Sequence, residues 1–242
     1  MLNTLRLEAI KLKRTSTSKL VIGITFFTVI VSGILASGFL VQNSMNWWYT
    51  LLYPLLTALV CSTIFGSLDK KHGFQPLFLS RIHMGKFFIA KSTVAGCIMF
   101  ISSVLYCSLL LIVTLVLPTE FDWIQISSAI FVTWLGYLFL IPLCGLLMLY
   151  LPSLLVTICI VIGTEMMQML YAQFPIWQLN PFITPAVIMT TIVNTLPNGL
   201  PNNGIMDSIS ILAIFSSLFI SICYWFVSLW LGSKLLQRKS ER

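Results

Sequence analysis

Charge is what this sequence has least of. Asp, Glu, Lys and Arg make up 9% of its 242 residues, while 58% are hydrophobic. A soluble domain carries about 25% charged residues. A water-soluble globular domain is therefore excluded, and an integral membrane protein is expected. Acids are scarcer than bases, 7 against 14, for a net charge of +7. The bases cluster beside apolar runs, where anionic lipid headgroups are the natural counter-charge. No RNA- or DNA-binding motif accompanies them, so no nucleic-acid partner is expected.

Reactive motifs are also missing. No GxxxxGK[ST] phosphate loop occurs: Gly85-Lys86 lacks the upstream glycine and is followed by Phe87. The chain thus has no visible means of holding ATP by itself. There is no HExxH zinc motif and no GxSxG nucleophile. Glu165 is followed by Met166, and the two histidines, His72 and His83, lie in a basic loop rather than a span. Cys61, Cys97, Cys107, Cys144, Cys159 and Cys223 form no CxxC pair and sit in apolar runs. There cysteine behaves as a small hydrophobe, so neither a disulfide framework nor a metal site is expected. No catalytic residue is assigned, and the chain is not expected to be an enzyme.

What the sequence does have is long apolar runs separated by basic segments. Leu20 to Val41 is long enough to cross about 30 Å of hydrocarbon as a helix. It exceeds a usual signal-peptide core, so it reads as an uncleaved first span. Its pairs Ser32/Ala36 and Gly33/Ser37 permit close helix packing. Gln42 to Asn46 reads as a short uncharged turn, and Trp47, Trp48 and Tyr49 as an interfacial aromatic anchor. Tyr49 to Leu68, Ser92 to Leu117, Ile124 to Leu149, Leu154 to Tyr171 and Ser208 to Leu231 are the further spans. Pro142 is expected to kink the fourth, because proline removes a backbone donor and crowds the preceding turn.

Three segments lie outside the spans. Residues 1–19 hold Arg6, Lys11, Lys13, Arg14 and Lys19 against Glu8. Leu2, Leu5, Ala9 and Leu12 recur on one helical face, which predicts a basic amphipathic helix in the headgroup plane. It either anchors the end by charge or also touches a cytoplasmic subunit. Residues 69–91, DKKHGFQPLFLSRIHMGKFFIAK, carry Lys70, Lys71, Arg81, Lys86 and Lys91 against Asp69. Each Lys or Arg at a span centre would cost roughly 2.5–3.5 kcal/mol, so this segment is expected to stand in water. Pro76 can open a short helix there, with Leu77, Phe78, Ile82 and Met84 able to dock. Residues 172–207 are proline-broken, with an apolar stretch at Ala186 to Val193 too short to cross. They read as outer re-entrant or interfacial helices.

Charge then orients the chain. All 14 Lys and Arg fall in three places: five before the first span, five in the loop after the second, four in the tail. The positive-inside bias puts all three in the cytoplasm. The expected fold is an all-α integral membrane protein, a single domain over 1–242. It has six transmembrane helices, an N-terminal amphipathic helix, a cytoplasmic loop and outer helices before the sixth span.

Glu165 is the only acid inside a span. It is either neutral and hydrogen-bonded to Gln168, or near the outer headgroups, or in contact with a cationic substrate or a moving proton. Met166, Met167 and Met169 beside it either pack or line an apolar cleft.

Three features together carry a resemblance over the whole chain. They are the start LRLEAIKLKRT (Leu5 to Thr15), the loop with its D-K-K-x-G opening and R-x-x-x-x-K-x-x-x-x-K ladder (Arg81, Lys86, Lys91), and the long outer segment before the last span. The chain resembles permease subunits of ATP-binding-cassette transporters of the type-2 exporter class. More narrowly, it is similar to the lantibiotic (bacteriocin) immunity permeases of Gram-positive bacteria. The resemblance implies a plasma-membrane protein that pairs with a second permease chain, as homo- or heterodimer, over cytoplasmic ATPase subunits that bind the ATP. It implies export of a cationic antimicrobial peptide, giving self-immunity. It makes Leu5, Glu8, Lys11 and Leu12 an elbow helix, and Asp69, Lys70, Lys71, Phe74, Leu77, Phe78, Arg81 and Lys86 the contact with the ATPase. Glu165, Met166, Gln168 and Met169 are candidates for the substrate path. Two other readings stay open: a permease for another drug or lipid, and a stand-alone membrane immunity protein that binds the peptide without transport.

Overall fold

A computed structural model describes residues 10, 15–66, 84–117, 119, 121–170, 177–194, 196–199 and 211–240. Every regular element among them is helical, and no strand occurs. The helices are α1 (Thr17–Leu35), α2 (Leu40–Trp47), α3 (Tyr53–Phe65), α4 (Met84–Val116), α5 (Trp123–Tyr137), α6 (Leu140–Met148), α7 (Ser153–Met169), α8 (Thr184–Ile192) and α9 (Ile211–Ser240).

Five runs are long and apolar enough to cross a membrane: Thr17–Leu35, Ser37–Phe65, Met84–Val116, Trp123–Met148 and Ile211–Arg238. Helix α7 is apolar but spans 17 residues, short of the roughly 20 a crossing needs.

The side-chain pattern on these helices inverts that of a soluble bundle. On α1 the buried positions include Thr17, Thr25, Thr28 and Ser32, while Phe26, Phe27, Ile30 and Ile34 face outward. Helix α9 repeats this with Ser217, Ser221, Ser228 and Gly232 inward and Phe215, Phe219, Phe226 and Trp230 outward. Lipid gives large apolar side chains no reason to hide. Small residues on the inner seam let backbones approach, and their hydroxyls find partners. Thr25 and Thr28 donate to the Val21 and Ile24 carbonyls at 2.7 and 2.8 Å. The Thr184 and Ser221 hydroxyls meet at 3.0 Å, tying α8 to α9.

Two prolines shape the long runs. Pro142 cannot donate to the Leu138 carbonyl, and its ring crowds that turn. The helix accordingly pauses at 138–139, where Leu138 and Ile141 N–H bond three residues back, to Leu135 and Leu138, at 3.2 and 3.3 Å. Pro54 acts differently. The turn before it, Trp48–Leu52, widens into π geometry, and the Tyr53 N–H reaches the Trp48 carbonyl.

Several expectations are corrected. Residues 42–46 are not a turn: they lie within α2, and the break falls at Ala36, before a short 3₁₀ turn. Trp48 and Tyr49 are not an interfacial anchor; both are fully buried. Tyr106 and Ser44 supply the reason, since Trp48 stacks on the Tyr106 ring at 4.2 Å and Tyr106 reaches the Ser44 hydroxyl at 2.9 Å. Helix α4 starts at Met84, eight residues before the apolar run at Ser92. Lys91 therefore does not stand in water and is only 1% exposed. Its ammonium donates to the Ile64 carbonyl at the last turn of α3 and lies 4.9 Å over the Phe87 ring. A helix C-terminus offers unpaired carbonyls and partial negative charge, which stabilise a buried cation.

The same end of the bundle holds a tight clamp. The Phe65 and Phe88 rings lie 5.3 Å apart. A Cβ on Gly145 would come within 2.7 Å of Phe65, and one on Gly232 within 2.2 Å of Phe88. Helices α3, α4, α6 and α9 are thus locked together around two rings. The 172–207 segment contributes α8, buried from Thr184 to Thr190. A turn follows in which Gly199 takes φ +81°, a conformation glycine adopts freely.

Candidate functional site

Away from that clamp, the interior is a ladder of aromatic rings with polar groups at its edges. Trp48 stacks on Tyr106 and meets Tyr53 edge-on at 5.4 Å. Tyr53 stacks on Tyr137 at 5.2 Å. These four rings join the Ser37–Phe65 run to α4 and α5. Each is fully buried, so each hydroxyl needs a partner.

The partners follow from the backbone. Pro54 lacks an N–H, so within the widened turn the Tyr49 carbonyl loses a donor. The Tyr137 hydroxyl donates to that carbonyl at 2.5 Å. Having given its one hydrogen away, the Tyr137 oxygen can only accept. Gln168 Nε2, from α7, donates to it at 2.6 Å. This sequence of donors fixes the Gln168 amide: nitrogen toward Tyr137, oxygen away. Gln168 Oε1 is buried and has no hydrogen-bond partner among the described residues.

Glu165 lies one turn earlier on the same face of α7. It is half-buried and interacts with the Thr50 side chain. Glu165 does not pair with Gln168; the two reach different elements. Thr50 and Asn46 share a face of the Ser37–Phe65 run, and the Thr50 hydroxyl donates to the Asn46 carbonyl at 2.9 Å.

The candidate path residues therefore separate. Gln168 is fully buried, whereas Met166 and Met169 are 55% and 65% exposed and face outward. The inward face of α7 is Val156, Thr157, Ile160, Thr164 and Gln168, a helical repeat from which Met166 points away. Met167 is partly buried, and its sulfur takes an N–H from Asn180 at 3.3 Å.

Of the loop residues, Lys86 lies on the first turn of α4 and is exposed. Asp69, Lys70, Lys71, Phe74, Leu77, Phe78 and Arg81 lie outside the described residues, as do Leu5, Glu8, Lys11 and Leu12. Ile10, which widens the same amphipathic face, is exposed. Among the described residues no cluster of His, Cys, Asp or Glu could hold a metal ion.

A cleft of about 320 Å³ opens at the end of the bundle opposite the Phe65–Phe88 clamp. Ser37, Phe39, Gln42, Leu117, Thr119 and Phe121 are among its walls. Beside it Asp122 starts α5 through a reciprocal cap with Gln125, whose Oε1 accepts the Asp122 N–H at 3.0 Å.

Sequence reasoning missed Tyr137, Thr50, Asn46 and the Tyr49 carbonyl. The signal for them was Pro54, whose missing N–H inside an apolar run leaves a carbonyl that another chain segment must satisfy. Comparison with protein-family models, curated proteins and solved structures finds no match to this chain.

Proposed function

We propose that this chain is the membrane-spanning permease subunit of an ATP-driven exporter that removes a cationic lantibiotic or related peptide from the membrane and so protects the cell that makes it. In this reading α7, which lies in the expected fifth span (Leu154 to Tyr171), also crosses and brings the number of spans to six. Both ends and the 67–83 connection face the cytoplasm of a bacterial cell, and a second permease chain completes the path.

The observation that carries the reading is the clamp at the base of the 67–83 connection. Phe65 ends the helix before it and Phe88 follows just after it. Lys91 ties α4 to the Ile64 carbonyl, and Gly145 and Gly232 seat the two rings against α6 and α9. A force applied to the connection therefore reaches four helices without a slack joint. That is what a permease worked by a separate motor needs, and what a channel does not. The lack of a phosphate loop agrees with a separate motor. A proton-coupled carrier would be expected to carry several intramembrane ionisable groups; among the described Asp, Glu, Lys and Arg side chains only Glu165 and Lys91 are not exposed, and they lie about 20 Å apart. The connection beside the 320 Å³ cleft carries Glu120 and Asp122 with no Lys or Arg, which suits a cationic amphipathic cargo.

The test is double charge reversal, Arg81→Glu with Lys86→Glu, in the full chain. Membrane insertion should persist, while co-purification of a nucleotide-binding subunit and peptide resistance should both be lost. Survival of both would refute the loop's assignment as the ATPase contact.

A further inference from the structure

The polar end of the ladder holds buried amide oxygens without partners among the described residues. Gln168 Oε1 is held away from Tyr137 by the hydrogen-bond order described above and has no partner among the described residues. The Thr50 hydroxyl bonds to the Asn46 carbonyl at 2.9 Å and lies beside Glu165. Asn46 Oδ1 is buried without a partner, and its Nδ2 faces the Gly199 turn, where an added Cβ would lie 3.2 Å away.

Packing sets α7 against the middle and far half of the Ser37–Phe65 run. The Ser37–Phe65 run and α7 are antiparallel neighbours, and Glu165 meets Thr50. Gln168 lies one turn from Glu165 on α7, and Asn46 one turn from Thr50 on the run. Among the described residues, the one buried cation is Lys91, at the level of Ile64. That is about 20 Å from Thr50 along the same helical run. It cannot neutralise Glu165.

A carboxylate in an apolar interior costs several kcal/mol unless a positive charge or a proton joins it. We propose that Glu165, Thr50, Gln168 and Asn46 form a binding site for a desolvated monovalent cation, either an alkali-metal ion or a primary ammonium group. One carboxylate balances one positive charge. The neutral oxygens replace its hydration shell, as in other intramembrane cation sites. A divalent ion would leave a net charge in the bilayer. Only the ammonium form rests on the permease reading, because a lysine of the cargo peptide would supply it. The alkali-ion form stands without that reading.

The experiment uses the full chain in lipid nanodiscs, with no ATPase present. Thermal stability is followed against NaCl, KCl and n-butylammonium chloride, with choline chloride holding ionic strength constant. A ligand at free concentration L that binds only the folded chain raises stability by RT ln(1 + L/Kd), level below Kd and logarithmic above it, so the bend marks Kd. Choline has no N–H and is too large for the site. The wild-type chain should show such a rise with at least one of the three cations. In Glu165→Gln the bend should move up by about tenfold or more in cation concentration, and in Gln168→Leu and Thr50→Val in the same direction. Met166→Leu should leave it unchanged. Butylammonium alone would make the site one for cargo amines, and an alkali ion alone a site for inorganic cations. If the wild type responds to none of the three beyond choline, Glu165 carries a proton and the proposal is wrong. It is also wrong if the response survives in Glu165→Gln. Should that variant not fold, an unchanged bend in both Gln168→Leu and Thr50→Val overturns it. Loss of this site would not touch the ATPase-contact test, which is scored on Arg81 and Lys86.

Discussion

Adding one methyl group at Gly232 should loosen the whole clamp. The Cβ of Gly232→Ala would sit 2.2, 2.3 and 2.9 Å from three ring carbons of Phe88. The ring has nowhere to go. It is fully buried, and Phe65 stands 5.3 Å away on its other side. Phe65 is itself pressed against Gly145, where an added Cβ would come within 2.7 Å. Overpacking a tight core costs about 1–3 kcal/mol, and with both rings pinned the upper end applies. About 3 kcal/mol is roughly a hundredfold in the folding equilibrium. Reversible unfolding in mixed detergent micelles measures it. Phe88→Leu should cost about 1–2 kcal/mol by itself, through the cavity it leaves. Combined with Gly232→Ala, the leucine gives the methyl room, so the double variant should lose at least about 1 kcal/mol less than the two separate losses together. Strict additivity would show that the two positions do not touch, and the clamp would be refuted.

Three further outcomes are expected. Tyr137→Phe removes the hydroxyl that bonds both the Tyr49 carbonyl and Gln168 Nε2 and should cost about 2–3 kcal/mol, measured in the same micelle assay; adding Gln168→Leu should cost little more, because the partner is already lost. Lys91→Met removes the ammonium's bond to the Ile64 carbonyl and should cost about 1 kcal/mol, partly offset because no charge is then buried; a gain in stability, read in the same assay, would show that burying the charge costs more than its contacts return. Cys61 and Cys144 are fully buried, so neither should react with a small maleimide until the protein unfolds, as mass spectrometry of the labelled peptides would report.

How far the sequence alone could be read depends on the kind of interaction. That the chain has several membrane-crossing helices was legible because lipid imposes a length of apolar chain. The pause before Pro142 was legible because its cause lies within four residues. Where the outcome depends on a distant partner, local patterns misled. Lys91 looks like one more loop cation until Ile64 and Phe87 are seen around it. Trp48 and Tyr49 look like a headgroup anchor until Tyr106 and Ser44 are seen to receive them. Gln168 looks like the partner of Glu165, three residues away, but the carbonyl freed near Pro54 recruits Tyr137, and Tyr137 recruits Gln168. Met166 and Met169 were a different case. The repeat Thr157, Ile160, Thr164, Gln168 already marks the inward face of α7, and both methionines lie off it.

The central claim is that this chain is a membrane gate with no fuel of its own, worked through the clamped base of its basic loop. Nucleotide hydrolysis by the full chain, purified from native membranes with its bound subunits and again after they are stripped away, tests it most directly. Hydrolysis should accompany a co-purifying nucleotide-binding subunit and vanish with it. Hydrolysis by the stripped chain would contradict the account.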